Sequence, residues 1–303
     1  MLPTRSPTSR QAAAGPTRAP RPRGRNATLV AIGLVCLAGL LFVAMNAMVK
    51  ALTAEHNQVM IVWARYFFHV LVVALLFPRA LIGVLRTERV GMQLGRSILL
   101  LLSTVFNFAA LVYLPLADVA SIIFTAPIPV TLLAWAILRE RVSAARWLAI
   151  GAGFAGALLI IRPGAGSLNS GALLALGCAL TYALYQVTTR MVRESEPVVS
   201  LLYGGLVGML VASLLVPFWW QPPDLGTWLT FALVGALGAA GHLLVILALQ
   251  RAEASRVSPF TYVQLLWAML ASLFMFGDVP SGWTVLGALV IAASGLQLYR
   301  LGL

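Results

Sequence analysis

Ionisable side chains are few within the long apolar runs of this chain, and each is a candidate for chemistry. Arg65 lies about eight residues into one run, and His69 shares its face if the run is helical. His242 ends the sequence Gly235-x-x-Gly-x-x-Gly241 in a later run. Ionisable groups are costly in hydrocarbon, so they favour a protein interior or a water-filled path. We interpret Arg65 and His69 as a structural anchor or a gating charge. His242 is either a satisfied hydrogen-bonding residue or a ligand for a proton or a substrate.

Uncharged polar and aromatic side chains recur at helical spacing in the same runs. A stripe of them begins at Tyr182 and continues through Gln186 and Thr189, and it has no reason to face lipid. Such groups either hydrogen-bond a neighbouring helix or line a cavity. We predict that a set of eight lines a cavity and contacts a substrate. The set is Asn46, Asn107, Tyr182, Gln186, His242, Tyr262, Gln264 and Trp267.

The positions of the acidic residues exclude some chemistry. All nine Asp and Glu residues fall at the ends of the apolar runs or between them. A buried carboxylate that exchanges a lipophilic cation for a proton is therefore not predicted, and neutral, zwitterionic or anionic ligands fit better. Cys36 and Cys178 fall inside runs, where we expect packing residues rather than a disulfide or a metal site. We predict no metal and no cofactor.

The elements that position these residues follow from the composition. With 60% hydrophobic and 10% charged residues over 303 positions, the chain is not an ordinary soluble domain. Apolar runs near the ~20 residues that cross a bilayer recur ten times. The predicted fold class is an all-α integral membrane protein whose short connections leave no room for a nucleotide-binding domain. The predicted spans are 28–50, 58–77, 92–113, 118–138, 144–161, 169–189, 197–217, 226–249, 256–276 and 283–300.

Basic residues outnumber acidic ones and give a net charge of +12. Of the 21 Lys and Arg residues, all but Lys50, Arg65 and Arg162 fall on one predicted side of the membrane. By the positive-inside rule this side is cytoplasmic, so both termini are predicted to be cytoplasmic. The basic surface is expected to face the anionic lipid of the bilayer rather than nucleic acid. Residues 1–27, which are rich in Arg and Pro, are predicted to form a disordered cytoplasmic tail.

The two halves of the chain are similar in sequence. Asn46 and Lys50 align with Gln186 and Arg190 at an offset of 140. At an offset of 138, residues 110, 111, 119, 140 and 143 align with residues 248, 249, 257, 278 and 281. Each half, 28–164 and 165–303, holds five predicted spans. An odd number of spans inverts the second copy in the membrane, which is typical of transporters with a site between two repeats.

Three prolines are predicted to break or hinge two of the spans. Pro127 and Pro129 fall in the fourth span, and Pro259 falls in the ninth. Because proline lacks a backbone donor, it exposes carbonyl groups within a helix. Broken helices of this kind frame the binding sites of many transporters.

Three motifs of the first half carry a resemblance to a known family. They are the segment from Pro127 to the turn Glu140-Arg-Val-Ser143, the closing sequence Ile161-Arg-Pro-Gly164, and the aromatic run from Trp63 to Phe68. The chain resembles the EamA-type families of the drug/metabolite transporter superfamily over about residues 28 to 300. The resemblance implies ten helices in two inverted five-helix repeats around a central cavity. It also implies an alternating-access mechanism and a place in the bacterial inner membrane.

The function that these patterns favour is secondary transport or exchange of a small organic metabolite, amino-acid-like or heterocyclic. A proton or a counter-substrate is a further candidate partner, and the chain is expected to be a monomer or a homodimer. Broad drug efflux is an alternative within transport. An intramembrane enzyme would use Arg65, His69 and His242, but no nucleophile or metal pairing accompanies them. A scaffold packed through Gly204 and Gly208 is the remaining alternative.

Overall fold

The computed structural model describes residues 25–300 except 88, 141, 162–169, 278 and 280. Within these ranges every regular element is a helix. The α-helices are α1 (Arg25–Leu52), α2 (Gln58–Leu76), α3 (Pro78–Leu85), α4 (Val90–Tyr113), α5 (Leu116–Ile123), α6 (Pro127–Leu138), α7 (Ala144–Ile161), α8 (Ser170–Met191), α9 (Pro197–Leu215), α10 (Leu225–Arg251), α11 (Ala254–Val257), α12 (Val263–Phe276) and α13 (Gly282–Arg300). Two 3₁₀-helices, Val216–Trp219 and Ser258–Tyr262, follow α9 and α11.

Eight helical stretches of the described residues are long and apolar enough to cross a bilayer. Together with α7 and α13, which pack against each other, they form the ten transmembrane helices of two inverted five-helix repeats. The predicted spans differ from these helices by only a few residues at their ends. Helix α1 begins at Arg25, so the last residues of the predicted tail are helical, and the rest of the tail lies outside the described residues.

One helix was not predicted. α3 lies between the second and third spans and packs against α9. With eight residues it is too short to cross a bilayer, and it lies in a segment that was predicted to be a connection. Pro78 occupies its first position, where proline favours a helix start.

The fourth and ninth spans are interrupted at the predicted prolines. α5 ends at Ile123, and α6 begins at Pro127 after a short turn, with Pro129 in its first turn. Pro259 lies in the 3₁₀-helix between α11 and α12. A 3₁₀-helix has fewer residues per turn than an α-helix, so it changes the direction in which later side chains point. Motion at these interruptions stays a prediction.

Lys50 and Arg190 align in the two repeats, and they make equivalent contacts. Lys50 Nζ donates to the carbonyl oxygens of Leu111 and Leu114 at the end of α4, at 3.0 Å for Leu114. Arg190 Nη1 donates to the carbonyl oxygen of Leu249 near the end of α10. The last carbonyls of a helix lack intrahelical partners, so a cation is favourable there. Because Leu249 aligns with Leu111, the duplication preserves this contact as well as the helices.

Side chains also fix the starts of two spans. Asn57 Oδ1 accepts from Val59 N at 2.9 Å before α2, and Asp224 Oδ1 accepts from Thr227 N at 2.7 Å before α10. The bonds to Thr227 lower the pKa of the exposed Asp224 carboxyl. Such caps satisfy donors that the first turn of a helix leaves unpaired.

Glu140, in the turn after α6, ties the first repeat to the second. Its Oε2 accepts from Ser255 N at 3.2 Å and from Ser255 Oγ at 2.7 Å, and its Oε1 accepts from Ala254 N at 3.3 Å. The carboxylate also lies 3.8 Å from Arg190 Nε. One side chain therefore holds α6, α8 and α11 together at the predicted cytoplasmic end.

Glu140→Gln is expected to lower the apparent melting temperature of the purified protein by several degrees. Glutamine keeps the size of the side chain but loses the charge, and its NH₂ group would face backbone donors. Charge-assisted hydrogen bonds are worth about 1.5–3 kcal/mol, and the Glu140 side chain is only 8% exposed. Size-exclusion chromatography after stepwise heating in detergent measures the shift. Glu55→Gln, at an exposed position after α1, is the control, and equal losses in the two variants would contradict the role of Glu140.

Candidate functional site

A cavity of about 80 Å³, here called the central cavity, lies between helices of both repeats. The first repeat lines it with α1, α2, α4 and α5, and the second with α8, α10 and α12. The lining residues are Phe42, Met45, Asn46, Arg65, Leu100, Ser103, Thr104, Asn107, Phe108, Ile123, Cys178, Tyr182, His242 and Gln264. A position between the repeats is where transporters of this architecture hold their substrates.

The structure brings five of the eight predicted lining residues together, and they come from both halves of the chain. They are Asn46, Asn107, Tyr182, His242 and Gln264. Arg65, interpreted from the sequence as an anchor or a gating charge, joins them in the lining. Helical spacing identified these positions because each lies on the polar face of its own span.

Three of the eight predicted residues are not among the lining residues of this cavity. Gln186 is buried but follows Tyr182 by a full turn of α8, and it is not among the lining residues. Tyr262 is also buried, with its ring 6.1 Å from that of Phe124. Trp267 is 36% exposed. Tyr262 ends the 3₁₀-helix at the interruption predicted from Pro259, and the tighter turn of that helix changes the direction in which its side chains point.

Asn46 and Asn107 form an amide pair across α1 and α4. Asn107 Nδ2 donates to Asn46 Oδ1 at 2.9 Å. Among the described residues, Asn107 Oδ1 has no hydrogen-bond partner. Since a buried carbonyl oxygen without a partner is costly, this atom is an acceptor available to a ligand in the cavity.

Arg65 is the cation of the central cavity. It is 1% exposed, and its guanidinium Cζ lies 4.3 Å from the centre of the Tyr66 ring. Tyr66 OH is fixed in turn by Thr104 Oγ1 at 2.9 Å and by the Leu100 carbonyl oxygen. In the described part of the chain, Arg65 Nε and Nη1 have no hydrogen-bond partner. The side chain therefore neither reaches a membrane surface nor pairs these two atoms with a helix end.

The two membrane histidines differ in their surroundings. His242 lines the cavity, with its ring 4.8 Å from Phe42 and 5.6 Å from Tyr185. No described residue bonds its Nδ1. His69 Nε2 lies 3.2 Å from the Leu201 carbonyl oxygen, so it carries the proton and links α2 to α9. His69 thus links two helices through Nε2, although its Nδ1 also has no partner among the described residues, while His242 lines the cavity.

Some lining residues were not predicted as such. Cys178 was interpreted as a packing residue, yet it lines the cavity one turn before Tyr182. Thr104 and Phe108 flank Asn107 on α4. For Cys178 and Thr104, the spacing to a predicted neighbour was the available signal, because i, i+3 and i+4 positions share one helical face. Phe108 directly follows Asn107, so its spacing to that residue gave no such signal.

Arg96 was counted with the basic residues of the predicted cytoplasmic side, and the structure shows that it is buried rather than at a surface. It is 1% exposed within α4. Its Nη1 donates to Gln93 Oε1 and to the Ser200 carbonyl oxygen, each at 2.8 Å, and its Nε donates to Thr189 Oγ1 at 2.8 Å. Its Nη2 reaches Tyr185 OH at 3.4 Å. The Tyr185 ring contacts that of the lining residue His242. The Arg96 network therefore lies behind one side of the cavity.

Comparisons with known proteins agree with this architecture. A model described as the EamA-like transporter family matches residues 29–162 and 169–299. The chain is 30% identical over 265 residues to a riboflavin transporter of Vibrio cholerae serotype O1, covering 85% of this chain and 88% of the relative. It is 25% identical to an S-adenosylmethionine uptake transporter of Rickettsia bellii, covering 88% and 92%. It is 26% identical to the pseudopaline exporter CntI of Pseudomonas aeruginosa, covering 88% and 95%.

A solved crystal structure shares the fold. Its TM-score to this chain is 0.70 at 19% sequence identity, and the match covers 91% of this chain and 97% of the other. At that identity the likeness shows the arrangement of the helices alone.

Proposed function

Since this chain belongs to the EamA-like transporter family, we propose that it exchanges or co-transports a small organic metabolite by alternating access. Family membership makes it a membrane transporter and not an enzyme. The membrane is the bacterial inner membrane, with both termini on the cytoplasmic side, as the distribution of basic residues favours. A proton or a second metabolite supplies the coupling.

The observation that carries this proposal is the polar lining of the central cavity. Amides on α1 and α4, a guanidinium on α2 and an imidazole on α10 meet there with aromatic rings. No Asp or Glu is among the lining residues. The site therefore suits a neutral, zwitterionic or anionic substrate with hydrogen-bonding atoms and a planar ring, rather than a lipophilic cation.

The names of the relatives support a heterocyclic metabolite. Transporters named for riboflavin and for S-adenosylmethionine are among them, and both compounds join a planar ring system to a polar chain. Phe42, Phe108 and Tyr182 offer ring faces to such a group, and Asn107 Oδ1 offers an acceptor. We propose this class without choosing one compound.

The volume of the cavity supports a change of shape during transport. Sites for small organic ligands measure about 300–1,000 Å³, whereas the central cavity holds about 80 Å³. We infer that the substrate-bound form is wider. The interrupted spans α5–α6 and α11–α12 each supply a lining residue, Ile123 and Gln264, so movement at the prolines would widen the cavity directly.

Counterflow in proteoliposomes tests the proposal. Vesicles loaded with an unlabelled flavin, adenosyl compound, amino acid or carboxylate are followed for entry of the labelled form. This needs no driving force, so the coupling partner need not be known. Saturable exchange with one chemical class is expected. The absence of exchange for every class, with folded protein, would reject metabolite exchange in favour of broad drug efflux.

Asn107→Ala is expected to lower the rate of that exchange at subsaturating substrate about tenfold. The change removes one hydrogen bond worth about 1–1.5 kcal/mol, and it breaks the pair with Asn46. Initial rates of counterflow at equal protein per vesicle measure the effect. Gln221→Ala removes an amide in an exposed connection and should leave the rate unchanged. Wild-type rates in Asn107→Ala would remove Asn107 from the substrate site.

A further inference from the structure

We propose that Arg65 is the specificity-determining residue of the central cavity and that it binds an anionic oxygen group, a carboxylate or a phosphate, on the transported molecule. The inference rests on the proposed function, because it assigns the substrate class of the same site. The observations that carry it are the burial of Arg65 and, among the described residues, two donors without a partner and no ion pair to a carboxylate.

The Arg65 guanidinium has hydrogen-bonding capacity that the described residues do not use. Arg65 is 1% exposed, yet two of its nitrogen atoms, Nε and Nη1, have no partner among the described residues. Arg96 has the same burial but donates to four acceptors. Buried donors are normally paired, so the difference between the two arginines indicates that the partner of Arg65 is a ligand.

The positive charge of Arg65 also favours a bound anion. A guanidinium stays charged in proteins, and a buried charge without a partner is costly. Ion pairs in the described part of the chain join Glu140 to Arg190 and Glu253 to Arg146 and Arg256, and none of these pairs includes Arg65. A bound anion would supply a counter-charge for Arg65.

The residues around Arg65 fix the position of its guanidinium. The guanidinium rests on the Tyr66 ring, which hydrogen bonds from Tyr66 OH to α4 hold in place. Gly238 of α10 also lies close to the guanidinium, since a Cβ there would lie 3.5 Å from Arg65 Nε. The side chain is thus held against an aromatic face, and the absence of a side chain at Gly238 leaves room beside it. Asn107 Oδ1 and His242 Nδ1, also unpaired, lie on the same lining and suit the remaining polar atoms of the molecule.

The test compares ligands that differ only in charge. The probes are nicotinate with nicotinamide, for a carboxylate, and riboflavin 5′-phosphate with riboflavin, for a phosphate. Binding to the purified full-length protein is measured by the rise in apparent melting temperature with ligand concentration. We expect one acid of the two pairs to bind about 10- to 100-fold more tightly than its neutral partner.

Two variants assign that preference to Arg65. Arg65→Gln should abolish the preference for the acid, whereas Arg65→Lys, which keeps the charge but loses the planar guanidinium, should retain part of it. Arg86→Gln, at an exposed position after α3, is the matched control and should behave as the wild type. Equal binding of acid and neutral ligand to the wild type would overturn the proposal. An undiminished preference in Arg65→Gln, or no binding of any probe by folded wild-type protein, would do the same.

Counterflow separates this inference from the proposed function. If acids exchange at wild-type rates in Arg65→Gln, the protein is a transporter and the anion site is wrong. If acids bind through Arg65 but no compound exchanges, the anion site stands and metabolite exchange is wrong. Should Arg65→Gln fail to fold, the comparison of acid and neutral ligands on the wild type still decides whether the site prefers anions.

Discussion

Arg96→Leu is expected to lower the apparent melting temperature more than any other single substitution considered for this protein. Leucine removes the donors that satisfy Gln93 Oε1, Thr189 Oγ1 and the Ser200 carbonyl oxygen, and these acceptors lie at 2.8 Å in a buried network. Hydrogen bonds to a charged group are worth about 1.5–3 kcal/mol each, and orphaned buried acceptors add a further cost. The expected loss is at least about 3 kcal/mol. Heating purified protein in detergent and measuring the fraction that stays monodisperse checks it.

The matched control for this substitution is Arg86→Leu. Arg86 is exposed after α3, in the same half of the chain. Its substitution therefore removes a cation without breaking a buried hydrogen-bond network. We expect its melting temperature to stay within about a degree of wild type, since surface substitutions usually change stability by no more than about 0.5 kcal/mol. If Arg96→Leu were as stable as Arg86→Leu, the network would not be a stabilising feature of the fold.

Gly235→Ala is the second substitution with a large expected effect, and it acts through the backbone. A Cβ at position 235 would lie 2.4 Å from the Phe68 Cβ and 2.8 Å from the backbone nitrogen of His69. A rotamer change cannot relieve contacts with a backbone atom and a Cβ, so α10 and α2 must separate. Overpacking of this kind costs about 1–3 kcal/mol. We expect a lower melting temperature together with reduced transport, because α2 carries Arg65 into the cavity.

Gly226→Ala provides the comparison on the same helix. The nearest atoms to a Cβ there are the Asp224 carboxylate oxygens at 3.8 Å, which is ordinary contact. Alanine also favours a helix over glycine by up to about 1 kcal/mol. The control should therefore be as stable as wild type or slightly more stable. Equal melting temperatures for Gly235→Ala and Gly226→Ala would show that α10 and α2 are not closely packed at this point.

The polar residues of the cavity show how much of a site can be predicted from helical spacing alone. The prediction of Asn46, Asn107 and Tyr182 follows from their side chains, which are polar or amphipathic and lie within a span. In lipid such a side chain would be costly, so it is expected to face protein or a cavity. Such positions signal a protein-facing side of one helix without reference to any other helix. Trp267 shows the limit, since it is 36% exposed although it follows the lining residue Gln264 by three positions on α12.

The burial of an arginine is harder still to predict from local sequence. The count of basic residues on each side of the membrane treated Arg96 as a surface cation, because it lies within two turns of a predicted span end. The structure buries it between α4, α8 and α9. Its partners Thr189 and Ser200 are about a hundred residues away, so no local pattern predicts them.

The sequence by itself determined the all-helical membrane fold, the ten spans, the duplication and the interruptions at Pro127 and Pro259. Each depends on properties of a short segment, namely its apolar length, its flanking charge and its missing backbone donors. Only the tertiary structure decided that Arg96 donates to four acceptors while Nε and Nη1 of Arg65 have no partner among the described residues. Which acceptors surround a buried cation depends on helices that are distant in sequence, and their packing places those acceptors around Arg96 and leaves Arg65 facing the cavity.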